Sequence, residues 1–298
     1  MAIRLITDGA CDLTTEYLKL HEVSRIPFYV SFDGETYLKE IEELDVRDFY
    51  QQMMDHKDVF PRTSLPATND YIEMITPMLE AGDSVVCICF TSCLSGAYNA
   101  ARNAAMIIEE DYPNSELYVI DSLCATVTQA SYVEEAVRMR DDGLSAKEIA
   151  AKLEAMKEPS KIFFTVGNLD YLIHGGRIGR MAGRVSNTLN LKPMIILVNG
   201  ECTTGGVVRS RKKSLKKAVD LMKEHIKANN LDINDFIINM GFGYDEAEAD
   251  KFIVTLKEEV AALGYTGEVE KIQIGATIAV HTGPEALGIG FVPKYDRL

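Results

Sequence analysis

Hydroxyl and imidazole side chains stand in two segments suited to receiving an anion. His281 and Thr282 follow an apolar run near the C-terminus, and a Gly-Pro turn comes directly after them. Thr63 and Ser64 stand in a predicted loop between two prolines, ahead of a predicted helix. Hydroxyl and imidazole groups donate hydrogen bonds that are strong when the acceptor is a carboxylate or a phosphate. If the two segments meet in the fold, they predict an anion-binding site with His281 at the tip of a strand.

A third candidate segment contains Ser92, Ser95 and Gly96, between an apolar run predicted as a buried strand and a predicted helix. In open α/β sheets, ligands lie beyond the carboxyl ends of the strands. The first turn of a helix also offers unpaired N–H groups to an anion. One interpretation is that the Ser95 hydroxyl and the backbone donors at Gly96 face an anion. The alternative is that Ser95 only caps the helix, a common role for serine.

These residues also allow a hydrolase as an alternative function. Ser95 as nucleophile and His281 as base would form a triad with Asp121 or Asp8, because such triads are defined by geometry and not by sequence order. The sequence around Ser95 does not have the GxSxG pattern of a nucleophile elbow. That difference argues against hydrolysis.

Two basic segments have open interpretations. Arg177 follows the predicted helix cap Gly175-Gly176 and is placed to reach a carboxylate or phosphate, although an exposed arginine is the alternative. The run 209–217 is either a solvated helix face or a docking patch for an acidic partner. Neither the P-loop pattern nor the dinucleotide pattern GxGxxG occurs in the sequence. The five histidines have no metal-ligand spacing, so we predict no structural metal.

Composition excludes several classes of protein. The chain has 298 residues and a formal net charge of −14, which argues against nonspecific nucleic-acid binding and against broad contact with an anionic membrane. No apolar run approaches transmembrane length. The six cysteines are irregularly spaced, and the acidic residue Asp8 interrupts the N-terminal apolar run. We therefore expect a cytoplasmic protein with reduced thiols and no stable membrane insertion.

The order of predicted elements indicates two α/β domains. The first half alternates strands and helices, which predicts a Rossmann-like parallel sheet with helices on both faces, over residues 1–157. A hinge at 157–160 precedes a second α/β layer domain, residues 158–298, with a mixed or partly antiparallel sheet. For this domain we predict strands at 161–166, 192–198, 236–242 and 267–280, and helices at 168–174, 183–190, 210–228 and 245–263.

Six short motifs, taken together, resemble one known family. They are ITDGACDLT (6–14), RTSLPAT (62–68), SCLSGAYNAA (92–101), VIDS (119–122), HGGRIG (174–179) and HTGPEALGIGF (281–291). In this order and over nearly the whole length, the chain resembles the DegV family, the fatty-acid-binding subunits of bacterial fatty acid kinases.

The resemblance implies a long-chain fatty acid buried between the two domains. A separate kinase subunit would phosphorylate the bound acid, so the chain itself would be no enzyme, would have no ATP site and would need no cofactor. The resemblance places Thr63, Ser64, Ser95 and His281 at the carboxylate. It gives Ser92, Gly96, Arg177 and Thr282 as secondary contacts.

Three departures from the family pattern bear on the ligand. Gly9-Ala10 stand where a serine or threonine is usual, so a polar contact near Asp8 is expected to be missing. Glu285 replaces a usual glycine, and we expect its charge to face solvent. The segment LCATVTQA after Ser122 lacks a glycine-rich helix start, which predicts a changed apolar tunnel and a changed chain preference.

Overall fold

The computed structural model describes residues 2–179 and 191–298. The helix predicted at 183–190 lies outside these residues. The strands are β1 (Ile3–Asp8), β2 (Val23–Ile26), β3 (Tyr29–Ser31), β4 (Leu38–Lys39), β5 (Arg62–Ser64), β6 (Ser84–Cys89), β7 (Leu117–Asp121), β8 (Lys161–Thr165), β9 (Lys192–Val198), β10 (Glu201–Val208), β11 (Phe236–Phe242), β12 (Val269–Gln273) and β13 (Leu287–Pro293). The helices are α1 (Thr15–Leu20), α2 (Val46–Asp55), α3 (Thr68–Glu80), α4 (Ala97–Asp111), α5 (Thr126–Asp141), α6 (Ala146–Met156), α7 (Asp170–His174), α8 (Arg211–Ala228), α9 (Glu246–Ala261) and α10 (Ala276–Thr282).

The first half of the chain forms the predicted parallel sheet, with strand order β2-β1-β6-β7. Every residue of β6 is buried, because helices cover both faces of the sheet. Cys87 and Cys89 are accordingly small buried residues of that strand. The carboxyl ends of β1, β6 and β7 lie side by side and lead into the loops after Asp8, Cys89 and Asp121.

The second half forms a mixed sheet, in the order β10-β9-β8-β13-β11-β12. Its strand pairs are antiparallel, except that β11 and β12 run parallel. This arrangement confirms the predicted fold class. The exact domain boundary at residue 157 stays a prediction.

The prediction of one long strand at 267–280 is wrong. Only Val269–Gln273 is a strand, and a helix of seven residues, Ala276–Thr282, follows Gly275. A short apolar run does not distinguish a buried helix from a buried strand by periodicity. His281 therefore lies in the last turn of a helix and not at the tip of a strand.

A small third sheet, in the order β4-β3-β5, was not expected. The segment around Thr63 was predicted as a loop, but β5 pairs antiparallel with β3, and Thr63 lies opposite Val30. Thr68 is the first residue of the next helix, α3. Asp70 accepts a hydrogen bond from the backbone N–H of Ala67 at 2.7 Å and stabilises the start of that helix.

Helix α5 joins the two main sheets. Most of its residues are buried on all sides, since it packs against β1 of the parallel sheet and against β11 and β13 of the mixed sheet. A Cβ atom at Gly290 of β13 would lie 2.8 Å from Val127 Cγ2 of the helix. Asn239 of β11 donates a hydrogen bond to the Ser131 hydroxyl at 3.0 Å. Helix α5 thus fixes the position of one sheet relative to the other. In the described ranges, no helix combines the length and apolar character needed to cross a membrane.

Substitution of Gly290 tests this close contact. Since Val127 and Thr128 leave no room for a side chain, we expect Gly290→Val to lower the free energy of unfolding by about 1–3 kcal/mol. Gly290→Ala should lower it less. Urea unfolding followed by circular dichroism measures both values. A valine variant as stable as the unmodified protein would show that α5 does not pack this tightly.

Candidate functional site

One cavity of about 240 Å³ lies between the two sheets. Its walls come from the loops after β6, from the start of α5, from β5 and α10, and from strands of the mixed sheet. Most of the lining is apolar, and polar side chains of β5, α5, α10 and two loops supply the rest. The apolar and small lining residues are Phe28, Leu65, Phe90, Leu94, Ala125, Val127, Ile162, Phe164, Leu172, Leu197, Cys202, Gly241, Ile274, Ile278, Ala286, Leu287 and Gly288.

Six of the eight site residues predicted from the sequence line this cavity: Thr63, Ser64, Ser95, Arg177, His281 and Thr282. Ser92 and Gly96 are not among the described residues that line it. The Ser92 N–H donates to Asp121 at 3.1 Å, and Gly96 caps α4. The fold therefore brings together four segments that are distant in the sequence.

Thr63, Ser95, Arg177 and His281 form the polar group of the cavity wall, and His281 lies at its centre. Its Nε2 atom is 2.9 Å from the Thr63 hydroxyl, so a hydrogen bond joins α10 to β5. Its Nδ1 atom is buried and has no hydrogen-bond partner in the described part of the chain. A Cβ atom at Gly175 would lie 2.2 Å from Nδ1, so the ring occupies space that any other residue at 175 would fill.

The protein's own groups keep His281 neutral. Burial and, to a smaller extent, the positive charge of Arg177 together lower the pKa of His281 to about 4. The imidazole is therefore uncharged at neutral pH, and one ring nitrogen carries a proton that it can donate. A carboxylate placed beside the ring would act in the opposite direction and raise this pKa.

Arg177 is held by backbone carbonyls. Its Nε donates to Leu94 O at 3.0 Å and its Nη1 donates to Gly175 O at 2.6 Å. These bonds fix the guanidinium between the loop before α4 and the end of α7. Two of its five N–H groups are engaged in this way, which orients the positive charge at the polar side of the cavity.

Ser95 lies at the start of α4 and also borders the cavity. Its Oγ accepts a hydrogen bond from the Ala97 N–H at 3.2 Å, so it helps to cap α4. The same side chain lines the cavity, and its hydroxyl hydrogen remains able to donate.

The hydrolase arrangement is not assembled. His281 bonds Thr63 through Nε2, and no acid within the described residues orients its Nδ1. Asp121 instead accepts from the backbone N–H groups of Ser92 and Leu123. The other proposed acid, Asp8, accepts from Phe90, Ala10 and Gln129.

A buried carboxylate missed by the sequence analysis positions α10. Glu40 accepts a hydrogen bond from the Thr277 N–H at 3.0 Å and is also bonded to the Thr277 hydroxyl. Burial raises the pKa of Glu40. Thr277 is near the start of the helix that carries His281, so Glu40 contributes to the placement of the imidazole. Its sequence context offers no signal for this role, since it follows an ordinary charged stretch.

The three departures from the family pattern have clear structural outcomes. Glu285 is exposed and pairs with Lys192 at 3.1 Å, so its charge points to solvent as expected. Next to Gly9-Ala10, the carboxylate of Asp8 is buried and accepts hydrogen bonds from Gln129 and from backbone N–H groups. In the segment LCATVTQA, Leu123 and Thr126 have φ values of 53° and 45°. These values suit glycine far better than branched side chains. Thr126 lines the cavity and adds a side chain to its wall.

Comparison with known proteins gives a consistent result. The family model described as "Uncharacterised protein, DegV family" matches residues 2–294. The chain belongs to the DegV family. A DegV domain-containing protein from Clostridium perfringens is 32% identical over 290 residues, covering 96% of this chain and 97% of that protein.

Solved structures of the family show the same fold. A stearic-acid-binding protein from Eubacterium ventriosum is 39% identical, with a TM-score of 0.93 and complete coverage of both chains. A fatty-acid-binding DegV family protein from Thermus thermophilus is 26% identical, with a TM-score of 0.85, over 98% of this chain and 100% of that one.

The neutral state of His281 predicts a pH dependence of stability. Since an unfolded histidine titrates near 6.5, the unfolded chain binds more protons than the folded chain between pH ~6.5 and ~4. Relative to His281→Gln, the ligand-free protein should therefore lose up to ~3 kcal/mol of unfolding free energy as the pH falls through this range. Urea unfolding at several pH values measures the difference.

The comparison with the glutamine variant is needed because another group acts in the opposite direction. Burial raises the pKa of Asp8 to about 6, so its protonation favours the folded state as the pH falls. Unfolding free energies of the two proteins that stay parallel from neutral pH down to about pH 4 would contradict the assignment to His281.

Proposed function

We propose that this protein binds a long-chain fatty acid in the cavity between its sheets and presents the carboxyl group to a separate kinase. One observation carries the proposal. A single cavity has apolar walls and a polar group made by Thr63, His281, Arg177 and Ser95. An apolar tail with one anionic head group matches both parts.

The free energy gained by burying an acyl chain favours such a ligand in a cavity with apolar walls. Burial of a C16–C18 acyl chain contributes on the order of 12 kcal/mol before association and ordering costs, at about 0.8 kcal/mol per methylene. Burial of an unpaired carboxylate would offset much of this gain. The hydroxyls of Thr63, Ser64 and Ser95, together with Arg177 and His281, supply the donors that the head group needs. Ser92, Gly96 and Thr282 stay secondary positions in this proposal.

Relatives support the choice of ligand. The Eubacterium ventriosum protein, with which the chain shares 39% identity over its whole length, is described as binding stearic acid. The Thermus thermophilus and Bacillus subtilis relatives of known structure are described as fatty-acid-binding. We extend this binding role to the present chain.

The position of the polar group favours presentation to a second protein. Ser64 and Leu65 are exposed where they border the cavity, whereas Val127 and Leu287 at other parts of its wall are buried. The head group would therefore lie near the surface with the tail inside. The sequence has no P-loop, so in this proposal a partner supplies ATP and catalysis and the chain needs no cofactor. All six cysteines are free, which supports a cytoplasmic location.

Lipid analysis tests the binding proposal directly. Denaturing mass spectrometry of the purified protein should release a long-chain fatty acid, and added palmitic or oleic acid should bind to delipidated protein. The variant Thr63→Ala/His281→Ala removes two donors, so we expect at least a tenfold loss of affinity for the acid. The affinity of this variant for the methyl ester of the same fatty acid should change less, because the ester carries no negative charge. Thr255→Val, at an exposed site on α9, is the matched control. Absence of fatty acid together with no binding of added acid would refute the proposal.

The kinase step needs a separate experiment. With ATP, a bacterial fatty acid kinase subunit and the loaded protein, we expect acyl phosphate, trapped as the hydroxamate after addition of hydroxylamine. The protein with ATP alone should form none. Normal fatty acid binding without any acyl phosphate from a panel of such kinases would retain the binding role and reject presentation.

A further inference from the structure

Asp12, in the first of the six motifs, has a buried carboxyl group that the candidate site does not use. The residue lies in the turn after β1 and is only 8% exposed. Neither of its carboxyl oxygens has a hydrogen-bond partner among the described residues. Because a charged carboxylate without partners is costly to bury, a group in this environment is expected to keep its proton.

A second buried carboxyl group lies close to Asp12. A Cβ atom at Gly275 would lie 2.6 Å from Asp12 Oδ1 and 2.5 Å from Glu40 Oε1, so these two oxygens are within about 5 Å of each other. Glu40 is buried as completely as the core residues around it. Two negative charges at this separation in a buried site repel each other, so we expect the pair to hold one proton.

The surroundings of the two groups favour the proton on Asp12. Burial raises the pKa of Glu40, but the hydrogen bonds from Thr277 and then the charge of Arg25 on β2 act in the opposite direction. Burial also raises the pKa of Asp12, well above its usual range, and the charge of Glu40 raises it further. The hydroxyl of Thr126 beside Asp12 opposes these effects to a smaller extent. Glu40 is therefore the member of the pair that is better suited to carry the negative charge.

The other ionisable neighbours of Asp12 do not change this assignment. Asp8, at the end of β1, favours the neutral form of Asp12 through its like charge. The hydroxyl of Tyr50 on α2 is buried and stays neutral, since burial raises its pKa well above the usual range. Arg47 of the same helix is exposed and donates to Tyr244 O at 3.0 Å. Among the groups that the structure describes, a proton is thus the simplest means of neutralising Asp12.

We propose that Asp12 carries a proton at neutral pH, and that this acid together with the Glu40 carboxylate positions α10 and hence His281. The inference rests on the proposed function where it concerns His281, whereas the proton on Asp12 is tested without ligand. Gly275 precedes α10, and Thr277 lies about one turn before His281. The two acids therefore hold the end of the helix opposite the imidazole. Asp12 is a positioning residue in this scheme, because it acts on the ligand through α10.

Substitution by asparagine tests the proton. Asp12→Asn has nearly the shape of a neutral carboxyl group, and asparagine tolerates the left-handed backbone at this position, where φ is 56°. The folded chain holds a proton that the unfolded chain releases above pH ~4, so unfolding of the unmodified protein releases this proton. Relative to the variant, its unfolding equilibrium constant should rise about tenfold per pH unit.

Urea unfolding from about pH 5 to about pH 7 measures this ratio. Asp58→Asn, at an exposed aspartate, is the matched control, and its unfolding constant should keep a fixed ratio to that of the unmodified protein. A ratio for Asp12→Asn that also stays fixed over this range would overturn the assignment. A constant loss of stability from an imperfect fit of asparagine would not affect the slope.

Carbon-13 NMR of the aspartate carboxyl groups gives a second measurement if Asp12→Asn does not fold. Burial raises the pKa of Asp8 to about 6. We therefore expect two aspartates of the unmodified protein, Asp8 and Asp12, to remain mostly protonated at about pH 5, above the usual range of this side chain. Fewer than two such groups would contradict the proposal.

The affinity for palmitic acid tests the positioning role. Asp12→Asn should bind as the unmodified protein does at neutral pH, because it replaces a neutral acid by a neutral amide. Glu40→Gln should bind roughly tenfold more weakly, since a neutral amide accepts less strongly from Thr277. Equal affinities of the unmodified protein and Glu40→Gln would show that the pair does not position His281. If the unmodified protein binds no fatty acid, the proposed function fails, and the pH dependence of unfolding still decides whether Asp12 is protonated.

Discussion

The hydrogen bond between Thr63 and His281 is the contact on which the candidate site depends. The two residues are 218 positions apart, and the bond joins a short strand of the small sheet to a helix of seven residues. Gly175 leaves room for the imidazole, and Glu40 supports the other end of the same helix. Each of these contacts holds α10 in place, so the geometry of the polar group is a property of the whole fold and not of one loop.

The parallel sheet and the mixed sheet contribute different parts of the cavity wall around α10. The parallel sheet delivers Ser95 from the carboxyl end of β6, in the position that open α/β sheets use for ligands. The mixed sheet gives the cavity an apolar floor, partly of glycine backbone. Helix α5 contacts both sheets and closes the space between them on one side. The polar side chains of the cavity thus come from several elements, whereas much of its apolar floor belongs to the mixed sheet.

Much of this arrangement was predictable, and the failures have physical reasons. The buried strand β6 and the amphipathic helices follow from apolar spacing, and the motifs containing Thr63, Ser95 and His281 identify most of the polar group. The helix at 276–282 was predicted as a strand because it is short and apolar, so its sequence lacks a distinguishing period. β13 was missed because its glycines reduce strand propensity. Glu40 was not predicted because its role depends on a partner 237 positions away.

That long separation has a consequence for biosynthesis. Glu40 is synthesised long before Thr277 and His281, because 237 positions separate Glu40 from Thr277. Helix α10 and strand β13 come after the other strands of both main sheets, so the polar group and part of the cavity floor are added late in translation. A nascent chain therefore has no completed cavity until α10 and β13 have been synthesised and have folded.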